Sequence, residues 1–321
     1  MDRTLMAIFI RVLVLAGLCV SLIGTAAPQQ KEGTDLVWAF PAPEKTPPAT
    51  IEDVPLKQVP GSTQTYDHPR IDSYNPPDWF PEEHPPMPAV VGHGGEKPVQ
   101  ACAYCHLASG SGHPQSADLA GLPVAYFVQQ IADFKSGART APPMDAIAKG
   151  MSDEQVQQAA QWFAALTPRP WIKVVETDTV PKTFVLMTRL RVPMPGGETE
   201  PIGNRIIEVP QETSRALSYD PHSGFIAYVP VGSLAKGKEL VTTGGAGKTF
   251  SCNTCHGEEL RGMGNMPRIA GHSAISIFRQ LYNIQTGGRH GSAAELMKPV
   301  VMNLSQEDMV AIAAYVASLA P

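Results

Sequence analysis

Cysteine is scarce in this chain, five in 321 residues. One lies in an apolar N-terminal run and four fall in two short motifs, which leaves none for a disulfide to staple the fold. Basic runs are absent as well. Lys and Arg number 25 against 30 Asp and Glu, for a net charge of −5, so no surface suited to nucleic acid is encoded. No glycine-rich nucleotide loop appears. Nor is there a long hydrophobic run: the apolar stretch Val12 to Ile23 is short against the ~20 residues a bilayer span requires.

What is present is a repeated motif. Cys102-Ala-Tyr-Cys105-His106 and Cys252-Asn-Thr-Cys255-His256 both read Cys-x-x-Cys-His, the attachment signature of c-type haem. Two thiols can bond to the two vinyl groups of one porphyrin, and the adjacent histidine then falls under the iron. A zinc site would bring its second cysteine pair within some tens of residues, whereas these pairs stand more than a hundred apart. A thioredoxin-like dithiol would follow a strand in a βαβ pattern, and none precedes either motif.

The regions after the motifs share one register. Leu119-Ala120-Gly121 matches Ile269-Ala270-Gly271, and Gln130, Gly137 and Arg139 match Gln280, Gly287 and Arg289. A methionine follows in each, Met144 or Met297, and eight residues later a serine opens an acidic first turn, Ser152-Asp153-Glu154 or Ser305-Gln306-Glu307-Asp308. Both serines read as helix N-caps.

With this layout the chain resembles the tandem dihaem class I cytochromes c of the bacterial periplasm, over about residues 98–168 and 232–321. The resemblance implies a mainly α fold, two class I cytochrome c domains of helices packed round covalent haem. It implies two covalently bound haem c groups, held by Cys102 and Cys105 and by Cys252 and Cys255, with His106 and His256 as proximal iron ligands. Met144 and Met297 take the family's distal position, where a thioether raises the reduction potential. Their alternative role is core filler, and Met151 and Met302 are the fallback ligands. Arg139 and Arg289 have two readings, pairing with haem propionates or lying solvated at the surface; Tyr126 is expected to pack. Domain two carries Gly257 and the family proline at Pro267, where domain one has Leu107 and Ala117. Unequal haem potentials are therefore expected. The other histidines, His272 and His113 among them, read as surface residues.

The rest of the chain sets compartment and outline. Arg3 and Arg11 flank the start of the apolar run, and Gly24-Thr25-Ala26-Ala27 closes it, the arrangement of an export signal over residues 1–26. Haem of this type is attached after export, so the protein is expected in the periplasm. Membrane anchoring follows only if the segment stays uncleaved. Residues 27–97 read as a proline-rich extended arm, its Trp79-Phe80 part lying against domain one. Domain one is placed at 98–168, a β-rich insertion at 169–231 and domain two at 232–321. Strand patterns stand at Thr183–Met187, Arg191-Val192, Arg205–Val209 and Phe225–Val229. In domain two, helices are expected from Ser233 to Val241 and from Ser305 to Leu319, with Gly237 permitting a close crossing against Tyr315. Domain one's last helix is expected over Ser152 to Leu166, with Trp162 or Phe163 in the equivalent role.

The function expected is electron transfer, not catalysis, with a dehydrogenase, an oxidase or another cytochrome, periplasmic or membrane-bound, as partner. A peroxidase-like enzyme with one open haem and a docking subunit of a larger complex are the alternatives.

Overall fold

The structure, a computed structural model, describes residues 36–44, 55–67 and 74–321. The expected signal segment, with Cys19, lies outside the described residues, as do His68 and Pro47-Pro48.

Domain one holds α1 (Ala89–Gly92), α2 (Cys102–His106), α3 (Val124–Ser136), α4 (Met144–Gly150) and α5 (Asp153–Ala164). The insertion contributes β1 (Ile172–Glu176), β2 (Thr179–Pro181), β3 (Thr183–Val185), β4 (Arg191–Pro193), β5 (Thr199–Pro201), β6 (Ile207–Pro210), α6 (Thr213–Leu217) and β7 (Phe225–Val229). Domain two holds α7 (Ser233–Thr243), α8 (Asn253–His256), α9 (Ala274–Thr286), α10 (Ser292–Glu295), α11 (Lys298–Val301) and α12 (Gln306–Ser318). Among the described residues no helix is long and apolar enough to cross a membrane.

The duplication in sequence is a duplication in structure. Both α3 and α9 are ended by a glycine with positive φ, Gly137 at 83° and Gly287 at 85°, a conformation that glycine adopts without steric cost. Capping boxes open α5 and α12: Ser152 exchanges hydrogen bonds with Gln155, and Ser305 with Asp308. In domain two, α7 crosses α12 with Gly237 at the contact. A Cβ there would lie 2.8 Å from the Tyr315 Cβ and clash with the Ala311 carbonyl.

In domain one, Phe163 is fully buried and packs its ring edge-on toward His106, while Trp162 donates its indole N–H to the Pro85 carbonyl at 3.0 Å. Val90 and Val91 of α1 sit in the same core as Phe127 and Phe163. The stretch read as arm thus contributes to domain one before residue 98. A four-residue helix shows no periodicity from which to place it.

The insertion forms a three-stranded sheet in the order β1-β7-β6, β1 and β7 parallel and β7 and β6 antiparallel. Two small antiparallel pairs, β2 with β5 and β3 with β4, flank it. The sheet shares its core with domain two: Ile206, Ile207, Val209, Ala227 and Val229 cluster with Phe278, Met309 and Val316. Glu208 of β6 is buried and accepts from the Ser273 hydroxyl at 2.6 Å and the Ala274 N–H at 2.7 Å, serving the N-terminus of α9.

The arm lies in two places. Trp38 enters domain two's core and contacts Phe278 at 4.6 Å between centroids. Trp79, also buried, donates its indole N–H to the Ser218 carbonyl at 2.7 Å, and Phe80 stacks on His222. The Trp79-Phe80 segment therefore lies on the insertion and not, as expected, on domain one. A buried indole needs an acceptor, and Ser218 supplies it.

Candidate haem-binding site

Each motif is a short helical turn that brings its cysteines and histidine to one place. Among the described residues no cysteine is paired in a disulfide. Burial pushes the Cys102 thiol up to about 12 and Cys252 up to about 11, and raises Cys105 as well. The thiol of Cys102 points at the Val90 carbonyl of α1, 3.4 Å away.

The two histidines are held alike. His106 Nδ1 donates to the Ala117 carbonyl at 2.7 Å, and His256 Nδ1 donates to the Pro267 carbonyl at 2.9 Å. Both acceptors lie eleven residues downstream. A carbonyl can only accept, so Nδ1 carries the proton and the lone pair is on Nε2, the state a metal requires. Burial lowers both imidazoles, His106 to about 4, which keeps them neutral. Ala117 stands where domain two has Pro267, yet the acceptor in both is a backbone oxygen, which alanine presents as well as proline does.

The distal candidates differ in setting. Met144 begins α4 and packs, half-buried, against domain one's core, and Met297 does the same against domain two's. Of the fallback residues, Met151 is 4% exposed within the core and Met302 is 64% exposed.

Arg139 and Arg289 are not solvated surface residues. They form a backbone bridge at the contact between the repeats. Arg139 donates to Gln130 Oε1 at 2.8 Å and to Gln280 Oε1 at 3.2 Å. Arg289 donates to Gln280 Oε1 at 3.0 Å, Gln130 Oε1 at 2.9 Å and the Tyr126 hydroxyl at 3.0 Å. Tyr126 thus does more than pack. Among the described residues neither guanidinium has a carboxylate within ion-pair distance, and Arg289 Nε and Gln130 Nε2 are buried without acceptors. Burial and the neighbouring Arg289 push Arg139 down to about 9. Two close cations with unused donors call for an anionic acceptor. With paired thiols and an imidazole lone pair nearby, the residues present fit a haem, whose carboxylates Arg139 and Arg289 would neutralise.

Sequence reasoning missed another pair at that contact. Asp118 and Arg268 occupy equivalent positions of the two repeats, and their side chains meet at 2.7 Å, 3% and 5% exposed. Opposite charges at one register position were visible in the sequence, but their meeting depends on how the domains face each other. His272, read as a surface residue, is buried beside Arg268, and burial holds it well below its usual value. Its polar neighbours in sequence gave no sign of that tertiary cover.

The two motifs differ in access. Tyr219, just after α6, lies against Tyr104 between the first pair of cysteines, their rings 5.3 Å apart. Leu107, Ala108 and Ser111 in the loop that follows are buried. In domain two, Cys255, Glu258, Glu259, Arg261 and Met263 are exposed.

The family described as cytochrome c matches residues 234–320. Cytochrome c-554(547) of Halothiobacillus neapolitanus is 34% identical over 85 residues, 23% of this chain and 93% of that protein. The thiosulfate dehydrogenase electron acceptor of Thiomonas intermedia (strain K12) is 27% identical over 221 residues, 68% of this chain and 78% of that protein. Among solved structures, the thiosulfate dehydrogenase TsdBA of Marichromatium purpuratum superposes with a TM-score of 0.48 at 24% identity. That overlay covers 70% of this chain and 38% of the other.

Proposed function

The chain belongs to the cytochrome c family, and on that footing we propose that it carries two haems c, one per repeat, and relays electrons between redox proteins of the periplasm. The observation that carries this reading is the equivalence of the two sites: His106 and His256 donate through Nδ1 to carbonyls eleven residues on, behind identical cysteine spacings. Haem iron, once bound, supplies a one-electron ferrous–ferric couple. The chain's own residues do the rest. Cys102, Cys105, Cys252 and Cys255 anchor the porphyrins; His106 and His256 are the proximal ligands, and Met144 and Met297 the distal ones. Arg139 and Arg289 neutralise propionates at the domain contact. With both irons closed in this way, the protein is a carrier and not a peroxidase.

The partner is a dehydrogenase that oxidises a small sulfur compound. Similarity over most of the chain to a thiosulfate dehydrogenase electron acceptor supports this. Exchange takes place at domain two, where Cys255 and Met263 are exposed, whereas the first motif lies beneath the insertion.

Mass spectrometry of the exported, denatured protein tests the reading: two haem additions are expected, and one alone refutes it. Met144→Ala and Met297→Ala should each open one iron to carbon monoxide. Thiosulfate with its purified dehydrogenase should reduce the protein, and failure there removes the assigned partner while leaving the carrier.

A further inference from the structure

The Asp118–Arg268 pair stands in an unusual place. The Ala117 carbonyl that holds His106 belongs to the same peptide unit as the Asp118 N–H, and the Pro267 carbonyl that holds His256 shares its peptide with the Arg268 N–H. Each partner of the ion pair is therefore the residue that follows a histidine's acceptor. The side chains close the circuit. Arg268 Nη2 reaches Asp118 Oδ2 at 2.7 Å and the Ala120 carbonyl at 3.3 Å, and Nη1 donates to the Ala270 carbonyl. Asp118 Oδ1 accepts from the Ala120 N–H at 3.0 Å. An unbroken path runs from one proximal imidazole to the other: His106, the 117–118 peptide, the ion pair, the 267–268 peptide, His256.

Stability alone is a poor account of this pair. Desolvating two charges costs several kcal/mol each, and an apolar pair of similar volume often serves as well or better. What an apolar pair lacks is an electric field. Asp118 is held wholly within domain one by the Ala120 N–H, whereas Arg268 donates to the Ala270 carbonyl of its own domain and across the contact to the Ala120 carbonyl. The anion thus belongs to the His106 side, and the cation joins that side to the His256 side. Negative charge near an iron favours the ferric state, and positive charge favours the ferrous state.

We propose that the Asp118–Arg268 ion pair is a positioning and polarising element that links the two proximal histidines, places domain two's haem at the higher potential and so directs the electron toward it. This rests on the reading that both repeats hold haem.

The test is a redox titration of the full chain, with haem content per chain measured for every variant. Wild type should show two one-electron steps. Asp118→Leu combined with Arg268→Met removes both charges without leaving one buried alone. It should retain two haems and narrow the gap between the steps, changing the partition of a single electron at least tenfold, which is 59 mV for a one-electron couple. Asp118→Asn leaves the cation unpaired and should move both steps upward, the lower one further. If Asp118→Asn fails to fold, the apolar pair decides. A gap unchanged in the apolar pair, with two haems bound, overturns the proposal. Wild type holding a single haem overturns instead the dihaem reading beneath it.

Discussion

Replacing Gly237 by alanine sets two opposite effects against each other at one position. In an exposed helix the change would stabilise by about 1 kcal/mol, because glycine loses more chain entropy on folding. Here the new Cβ would meet the Ala311 carbonyl of α12 and come within 2.8 Å of the Tyr315 Cβ. Neither obstacle is the free end of a flexible side chain, so the helices themselves must separate. Overpacking of this kind costs typically 1–3 kcal/mol, and with backbone on the far side the upper end applies. The net effect is a loss of about 2 kcal/mol. Domain two shares its core with the insertion's sheet, so the melting unit is roughly 150 residues and Tm should fall by about 4–8 °C. Circular dichroism at 222 nm during heating reads this directly. Tyr315→Ala should not rescue the variant, because the carbonyl obstacle remains. Lys238→Ala, on the exposed face of α7, should stay within about 0.5 kcal/mol of wild type. A Gly237→Ala protein that melts at or above the wild-type temperature refutes the close crossing.

Three further outcomes are expected. The carboxyl of Asp308 is held well below the usual range, by hydrogen bonds from Lys248, Ser305 and Lys236 that overcome the effect of burial; its stabilisation is complete above about pH 4 and lost as pH falls through the folded value. Acid unfolding of Asp308→Asn should therefore begin from a lower stability and show a shallower slope. Burial pushes Glu208 up to about 7 against the opposing bonds from Ser273 and Ala274, so the folded protein binds an extra proton between about pH 4.5 and 7 and loses stability as pH rises across that window. The buried histidines act in the opposite sense over the acid part of this window, so the difference is the test: from pH 5 to 8 the wild-type urea midpoint should fall relative to that of Glu208→Gln, and parallel curves remove the assignment. Arg139→Gln and Arg289→Gln each remove a half-buried cation from the domain contact and should lower the reduction potentials, and an upward shift in both variants would exclude propionate pairing.

The parts of this fold that local chemistry dictates could be read from the chain. Ser152 and Ser305 open their helices through the expected caps, Gly237 faces Tyr315, and Phe225–Val229 is a strand. What escaped depends on distant partners. Strand β1 pairs in parallel with β7 from some fifty residues away, a pairing no local pattern encodes. Four-residue α1 is too short for a helical period to show. The site divides in the same way. The cysteines and histidines announce themselves by spacing, and Arg139 and Arg289 by register. The acceptors of those arginines, and the meeting of Asp118 with Arg268, exist only because one repeat faces the other.

The placement of Tyr219 over Tyr104 also bears on how the protein is made. Thioether bonds form only while the thiols can be reached, yet Cys102 and Cys105 lie under a cover built from chain that emerges more than a hundred residues later. On the proposal that domain one holds a porphyrin, that group would have to enter before α6 and its following turn close over Tyr104. Cys255 remains open in the finished fold and sets no such deadline.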